Sequence, residues 1–509
     1  MKAHFLLTLA ACCASTMFAA GAPSREAPNI VFLLTDDQCT YSVGCYGNED
    51  VRTPHMDSLA RDGIAFDNHY DTTAICMASR ANIMTGKFEF RNGCNFEHGP
   101  LVEEHWKASY PVMLRKAGYL TAIAGKIGFG VADKPGGKGV LPEEDFDKWG
   151  AGPGQTHYET RKNRSMVAYA GKYPHSSRAY GAFGADFIAE SAEAGKPFCL
   201  SISFKAPHKP ATPDPLDDHV YAGKKFRRPP NYGRDAGAHF SKQSRQGRQF
   251  ERFHGWNYSD KYDQVMAVYH QQVYAVDVAI GMIREALEKH GVANNTVVIF
   301  TSDNGFLCGS HGYGSKVLPY EESARVPLII YDPRHANSGR NLRSRALTGN
   351  VDMAPTIMDL AGIRQPPGMD GRSLMSLYDD PEGKVHDALP LINVWGPAEV
   401  HSLGVVTKDE KYIYWPYAGE GFQATEELYH LGKDPAEMRN LAPGGGYEDL
   451  LDEMRKIYDG FVRQWRREAV PYHNYLPFGV FFDRAIPWEN KRAAFETRKE
   501  KGRGRPKQQ

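Results

Sequence analysis

Five short apolar runs punctuate the chain: PNIVFLLTDD over 28–37, YLTAIAGK over 119–126, PFCLSISF over 197–204, NTVVIFTSDNG over 295–305 and VPLIIYDP over 326–333. Each is too brief for a helix and is apolar throughout, not at every second position. That is the pattern of strands buried on both faces. Helical patterns lie between them. Thr53-Pro54 supplies a cap and a first-turn proline for a helix running to Gly63, and a second spans 110–117. A long third, over 262–290, carries Val265, Val268, Tyr269, Val273, Val276, Ile280, Ile283 and Leu287 at helical spacing. Strands alternating with helices predict an α/β fold: a large mixed, mostly parallel sheet flanked by helices.

Two stretches break this rhythm. Residues 205–260 are rich in Pro, Gly, Arg and Lys with little periodicity, and read as a long surface excursion. After about 385 come the short strand-like runs LINVWG, SLGVVTKD and KYIYWPY, then an amphipathic pattern over 447–468. These predict a smaller C-terminal antiparallel sheet with one packed helix. The expected layout is a signal peptide over 1–22, a large domain over 23–385, a C-terminal subdomain over 386–480 and a basic tail over 481–509. There are no internal repeats or low-complexity tracts.

At 509 residues the chain exceeds one small core, in keeping with that division. Its 61 basic and 61 acidic residues cancel, which gives no reason to expect nucleic acid or an anionic membrane as partner. The basic end, finishing GRGRPKQQ, reads as a solvated terminus. The first residues, MKAHFLLTLAACCASTMFAAGAPS, have the lysine, apolar run and small residues of a secretory signal, so export to the periplasm or outside is expected. Leu9-Ala10-Ala11-Cys12 resembles a lipobox, which would lipidate Cys12. Nothing later is long and apolar enough to be an integral membrane span. Beyond Cys12 and Cys13, six cysteines remain, too few for a disulfide scaffold.

In an open α/β sheet, ligands gather at the carboxyl ends of the strands. Two runs end there in oxygen donors, Asp36-Asp37 and Asp303-Asn304. Three carboxylates and an amide oxygen suit calcium or magnesium, although either pair alone also reads as a helix cap. The segment Thr72 to Arg80, TTAICMASR, is the other candidate. A helix beginning near Ser79 would set Cys76 at an N-terminus that favours anions, with Arg80 four residues on. A buried cysteine before an ordinary helix is the plain alternative.

Cys76-Met77-Ala78-Ser79-Arg80 resembles the signature of the type I, formylglycine-dependent sulfatases of the alkaline phosphatase superfamily. The likeness continues through NIVFLLTDD, TPHMDSLARDGIAFDNHY, YPVMLRKAGYLTAIAGK, Pro207-His208, VVIFTSDNG, Ser315-Lys316 with PYEESARVPLIIYDP, and ELYHLGKDPAEMRNLA, covering roughly 28–470. It implies an alkaline-phosphatase-like fold and hydrolysis of sulfate esters. It implies a formylglycine made from Cys76 by a maturation enzyme, and one calcium ion held by Asp36, Asp37, Asp303, Asn304 and the modified Cys76. Arg80 would support the formylglycine hydrate, Lys126 and Lys316 would hold sulfate, and His208 would protonate the leaving alcohol. A geminal diol explains why a thiol is oxidised: one hydroxyl attacks sulfur, and the other later expels sulfate.

Two positions depart from the pattern. The family's Lys at 126 is usually followed within two or three residues by a His, but here the segment is GKIGFG. His311, in GSHG, is a candidate stand-in, with a structural role as its other reading. Ala78 stands where many members have Pro. A phosphoester or phosphonate hydrolase of the same superfamily and a non-catalytic glycan-binding relative are the alternative functions. A sulfated carbohydrate is the expected substrate. Arg227, Arg228, Arg234, Arg245, Arg248, Arg252, His254 and Trp256 of the polar stretch either read its rings and charges or form a solvated loop.

Overall fold

The strand Asn29–Asp36 is buried at every position, and its alternate side chains enter two different cores. The computed structural model, which describes residues 27–493, places this strand inside an eight-stranded sheet. In spatial order the strands are Leu342–Ser344, Ile64–Phe66, Leu328–Tyr331, Thr296–Ser302, Asn29–Asp36, Phe198–Pro207, Leu120–Lys126 and Lys148–Gly152. The five from Thr296–Ser302 to Lys148–Gly152 run parallel, and Leu328–Tyr331 is antiparallel to both its neighbours. Continuous apolar runs produced this outcome because helices cover both faces.

On one face, Val31 and Leu33 meet helices Tyr262–Lys289 and Ser176–Ala194 through Val276, Ile280, Phe183 and Phe187. On the other, Ile30, Phe32 and Leu34 meet helices Cys76–Thr85, Tyr110–Lys116 and Met353–Leu360 through Met84, Tyr110 and Ile357. The Ser176–Ala194 helix has no counterpart among the sequence expectations. It is rich in Ala, Gly and Ser, so its apolar stripe is thin.

Residues 205–260 correct the expectation of a surface excursion. Tyr221, Phe226, Phe240, Phe253 and Tyr258 are buried, and Arg248–Gly255 is a short helix. These anchors are spaced irregularly, which is why no period marks them.

The C-terminal strands Leu389–Asn393, Ser402–Val406, Glu410–Trp415 and Thr425–His430 form an antiparallel meander. Helix Glu448–Glu468 packs on it through Leu451, Met454, Tyr458, Val462 and Trp465. One apolar cluster joins this unit to the large sheet's loops, and the rings of Phe90 and Trp465 stack at 4.6 Å across the seam. Packing also passes the boundary expected at 480, since Phe481, Phe482 and Lys491 are buried and Lys491 Nζ donates to Tyr414 Oη at 3.0 Å. The signal peptide, Cys12 and the end of the basic tail lie outside the described residues. Among the described residues no helix is long and apolar enough to cross a membrane, and the six cysteines are free thiols.

Candidate active site

Four neighbouring parallel strands end on the same edge of the sheet, and each delivers chemistry there. Asn29–Asp36 brings Asp36 and Asp37, Thr296–Ser302 brings Asp303 and Asn304, Leu120–Lys126 brings Lys126, and Phe198–Pro207 brings His208 just beyond its end. Asp37 adopts φ +71°, a left-handed conformation that non-glycine residues hold only when their surroundings demand it. Helix Cys76–Thr85 points its N-terminus at this edge. It starts at Cys76 itself, three residues earlier than expected, with Ile75 as an extended cap residue.

Cys76 Sγ donates to Asp36 Oδ1 at 3.3 Å and lies 2.7 Å from Lys316 Nζ. Burial, reinforced by Asp36 and opposed by Lys126 and Lys316, pushes this thiol up to about 12. Lys316 Nζ also bonds Asp37 Oδ1 and stands 3.7 Å from Asp36 Oδ1. Lys126 Nζ donates to Asp36 Oδ2 at 2.5 Å. Burial works against an ionised Asp36, but Lys126, His208, Lys316 and Arg80 together hold it well below the usual carboxylate range. Asp37 is raised instead, by burial and by the charge of Asp36.

Arg80 is completely buried. Its Nε donates to Asp303 Oδ2 at 2.7 Å, and one terminal nitrogen donates to the Lys126 carbonyl and to Ser203 Oγ at 2.5 Å each. Three carboxylates, Asp36, Asp37 and Asp303, therefore face three cations, Arg80, Lys126 and Lys316. Asn304 Nδ2 donates to Asp37 Oδ1 at 2.7 Å, while its buried Oδ1 has no partner. His208 Nε2 lies 3.8 Å from Asp37 Oδ2, and burial lowers the imidazole to about 3.

The ligand atoms of Asp36, Asp37, Cys76 and His208 all lie within 4.8 Å of one another. Of these, the carboxylates of Asp36 and Asp37, together with the unpartnered oxygen of neighbouring Asn304, are the oxygen donors that fit a hard divalent cation. Asp303 is engaged otherwise: Oδ2 accepts from Arg80, and Oδ1 accepts from the Asp37 backbone at 3.3 Å.

His311 is not at this edge. Its Nε2 accepts from Asn231 Nδ2 at 2.8 Å, its ring lies 4.4 Å from that of Phe240, and it neighbours Glu322 and Glu437. The stand-in role is thereby replaced by the structural one. Sequence reasoning missed Ser203, whose contact with Arg80 links residues 123 positions apart, and Asp71, whose Oδ1 accepts from Ser79 Oγ at 3.1 Å. Neither carries a local signal.

A cavity of about 780 Å³ opens above the cluster, lined among others by Asp37, His208, Lys316, Arg252, Trp256 and Trp395. Of the eight polar-stretch residues named above, Arg248, Arg252 and Trp256 line it. Arg227 pairs with Glu49 and Asp50, Arg228 lies on Tyr232 and Tyr262, and Arg234 and Arg245 donate to backbone carbonyls. Trp256 is not open for stacking on a sugar, since its ring stacks on Phe306 and carries the Arg252 guanidinium at 4.2 Å.

Residues 28–363 match the Sulfatase family model, and 309–464 match the model for the C-terminal part of N-sulphoglucosamine sulphohydrolase. The chain is similar to an N-acetylglucosamine-6-O-sulfatase of Bacteroides thetaiotaomicron, 29% identical with 86% of this chain and 87% of the relative covered. It is 28% identical to an arylsulfatase of Clostridium perfringens, over 84% of this chain and 93% of the other. Among solved structures, one bound to its substrate D-glucosamine-2-N,6-O-disulfate is 27% identical, with a TM-score of 0.71 over 88% of this chain and 100% of that one. A phosphonate monoester hydrolase of Agrobacterium radiobacter shares the fold, at 20% identity and a TM-score of 0.68, with 87% of this chain and 96% of the other covered.

Proposed function

This chain belongs to the sulfatase family and is a sulfuric ester hydrolase, and on that footing we propose that it desulfates a sulfated carbohydrate through a formylglycine made from Cys76 at a calcium site. The observation that carries this reading is the meeting of Cys76 Sγ, Asp36 and Lys316 at the N-terminus of a buried helix, beneath an open cavity. A formylglycine hydrate at position 76 would supply two geminal hydroxyls, one as the nucleophile towards sulfur and one whose deprotonation would release sulfate and regenerate the aldehyde. A calcium ion would be held by Asp36, Asp37, Asn304 and residue 76, with Asp303 joining through the oxygen that accepts from the Asp37 backbone, and would supply positive charge to offset that of the sulfuryl oxygens.

Each remaining role falls to a side chain of the cluster. Lys126 and Lys316 are the cations aimed at the centre, and they offset charge that develops on the sulfuryl oxygens. Arg80, fixed by Asp303, Ser203 and the Lys126 carbonyl, orients residue 76. His208 is the one histidine in the cluster among the described residues, and it donates a proton to the departing alcohol oxygen. Burial keeps it neutral beforehand; the negative charge of a bound sulfate ester is what favours its protonated form.

The relatives that act on glucosamine sulfates support a carbohydrate substrate, as does the breadth of the cavity. Export follows from the signal-like segment over 1–22, and maturation requires an enzyme that oxidises Cys76. Residues 23–385 supply every residue assigned a role, and 386–480 buttress them. The test has two parts. Purified active protein is digested and the Cys76 peptide weighed, with loss of the thiol and gain of an aldehyde or its hydrate expected. The same protein is then assayed on nitrophenyl sulfate, nitrophenyl phosphate and a phenylphosphonate ester. Sulfate release should dominate. Full activity with an unmodified Cys76 thiol, or preference for a phosphorus ester, overturns the assignment.

A further inference from the structure

Helix Arg248–Gly255 sets Arg248 and Arg252 one turn apart, so they share a face, and both line the cavity above the reaction centre. Each guanidinium sits over an indole contributed from a different place. Arg248 sits 4.3 Å from the ring centre of Trp395, and Arg252 sits 4.2 Å from that of Trp256. Stacking of this kind occupies the face of the guanidinium and leaves the in-plane N–H groups at its edge available. One of those edges is used, since Arg252 donates to Ser315 Oγ at 2.8 Å, next to Lys316.

The positive charge here is not balanced by protein. Among the described residues neither arginine has a carboxylate within 4.0 Å; Glu97 acts on Arg248 only from farther away. Lys209 lies 5.2 Å over the Trp256 ring, and Lys261 is also on the cavity wall. Asp37 is the single acid in that wall, and Lys316 already engages it. Burial first, and then the neighbouring Arg248, pull Arg252 down to about 10, with Asp37 opposing them. By contrast, Arg227 of the same stretch pairs with Glu49 and Asp50, and Arg234 and Arg245 donate to backbone carbonyls.

We propose that Arg248 and Arg252 form a second anion-binding subsite, so that the substrate is a carbohydrate carrying another anionic group besides the scissile sulfate. The inference rests on the sulfatase reading for what happens at Cys76, but the subsite stands on its own geometry. Its chemistry suits an anion that offers two or three terminal oxygens to the guanidinium edges, hence a second, tetrahedral sulfate ester or a planar uronate carboxylate. The tryptophans act as platforms that orient the two guanidiniums and shield their faces.

The test uses the full chain with Cys76→Ala, which cannot turn over, and calorimetric titration with three sugars. These are a monosulfated hexosaminide, the same sugar with a second sulfate, and the monosulfated sugar linked to a hexuronate. A second anion should tighten binding by about ten- to a hundredfold, and the better of the last two identifies it as sulfate or carboxylate. Adding R248Q or R252Q should bring that ratio close to one, while R252K, which keeps charge but loses the fork, should retain part of it. Equal affinity for all three sugars, or a ratio unchanged in both Gln variants, overturns the subsite. Sulfate release by the mature wild-type protein is measured alongside. Its absence would count against the sulfatase reading alone, because the titrations do not depend on turnover.

Discussion

A Cβ placed on Gly128 would stand 2.6 Å from Cδ of Arg80. The backbone at Gly128, with φ +88°, and the Arg80 side chain therefore occupy contiguous space two residues after Lys126, within the stretch where the sequence resemblance implies a histidine. Restoring that histidine by Gly128→His should lower kcat by about a hundredfold, because Arg80 must leave Asp303 and Ser203 to admit it. Gly128→Ala should move activity and Tm in the same direction, given the strain of a side chain at positive φ. Steady-state kinetics with a melting curve checks both, and a gain of activity in Gly128→His would refute the steric argument.

His208→Ala should separate substrates by leaving group. A sugar alkoxide needs its proton in the transition state, so kcat/KM on a sulfated sugar should fall by about 10²–10⁴-fold. Nitrophenolate departs unaided, so nitrophenyl sulfate should lose less than about tenfold. Equal losses on both would show that His208 serves another purpose.

Chelation should silence the enzyme reversibly. Calcium added back should restore turnover and raise Tm, since an ion bound only to the folded state stabilises it. In Asp36→Asn and in Asn304→Ala the calcium-dependent rise in Tm should shrink or vanish, a readout independent of formylglycine. Undiminished activity after exhaustive chelation would falsify the metal assignment.

The seam between the large sheet and the C-terminal meander should govern stability. Trp465 is buried against Phe90, Tyr475 and Phe482, and Trp465→Ala should cost about 3–5 kcal/mol in denaturant unfolding. A chain ending at 385 should fail to fold, because Phe88, Phe90 and Tyr320 would lose the apolar surface they pack on. A soluble, cooperatively melting 385-residue fragment would refute this.

What could be read from the sequence were the features with a local signature. The continuous apolar runs ending in Asp36-Asp37 and Asp303-Asn304 announced both the sheet and the edge where donors converge, because burial on two faces leaves no polar alternation. The Cys76 segment was legible through its likeness to a known signature. The Ser176–Ala194 helix escaped because Gly181 and Gly184 are there for close packing, each with a neighbouring side chain 3.1 Å from a hypothetical Cβ, and they dilute its apolar stripe. Ser203 escaped because it sits in an apolar strand, and its tie to Arg80 exists only once two distant strands and a helix have met. The 205–260 stretch misled for a related reason, in that its five aromatic anchors follow cavities in the body and no repeat of their own.

Cys76 is 2% exposed, and every residue of the helix it opens is buried. A thiol so enclosed, on a helix buried along its whole length, is out of reach of a modifying enzyme in the folded protein. Under the function proposed above, oxidation of Cys76 must therefore compete with folding in time: it has only the interval between synthesis of residue 76 and closure of the sheet around it. Because strands from residues 296–331 and the C-terminal seam are needed for that closure, the interval lasts until much of the chain has been made. Cells short of the maturation activity should thus accumulate well-folded, inactive protein that no later supply of the activity can rescue, unless it is first unfolded.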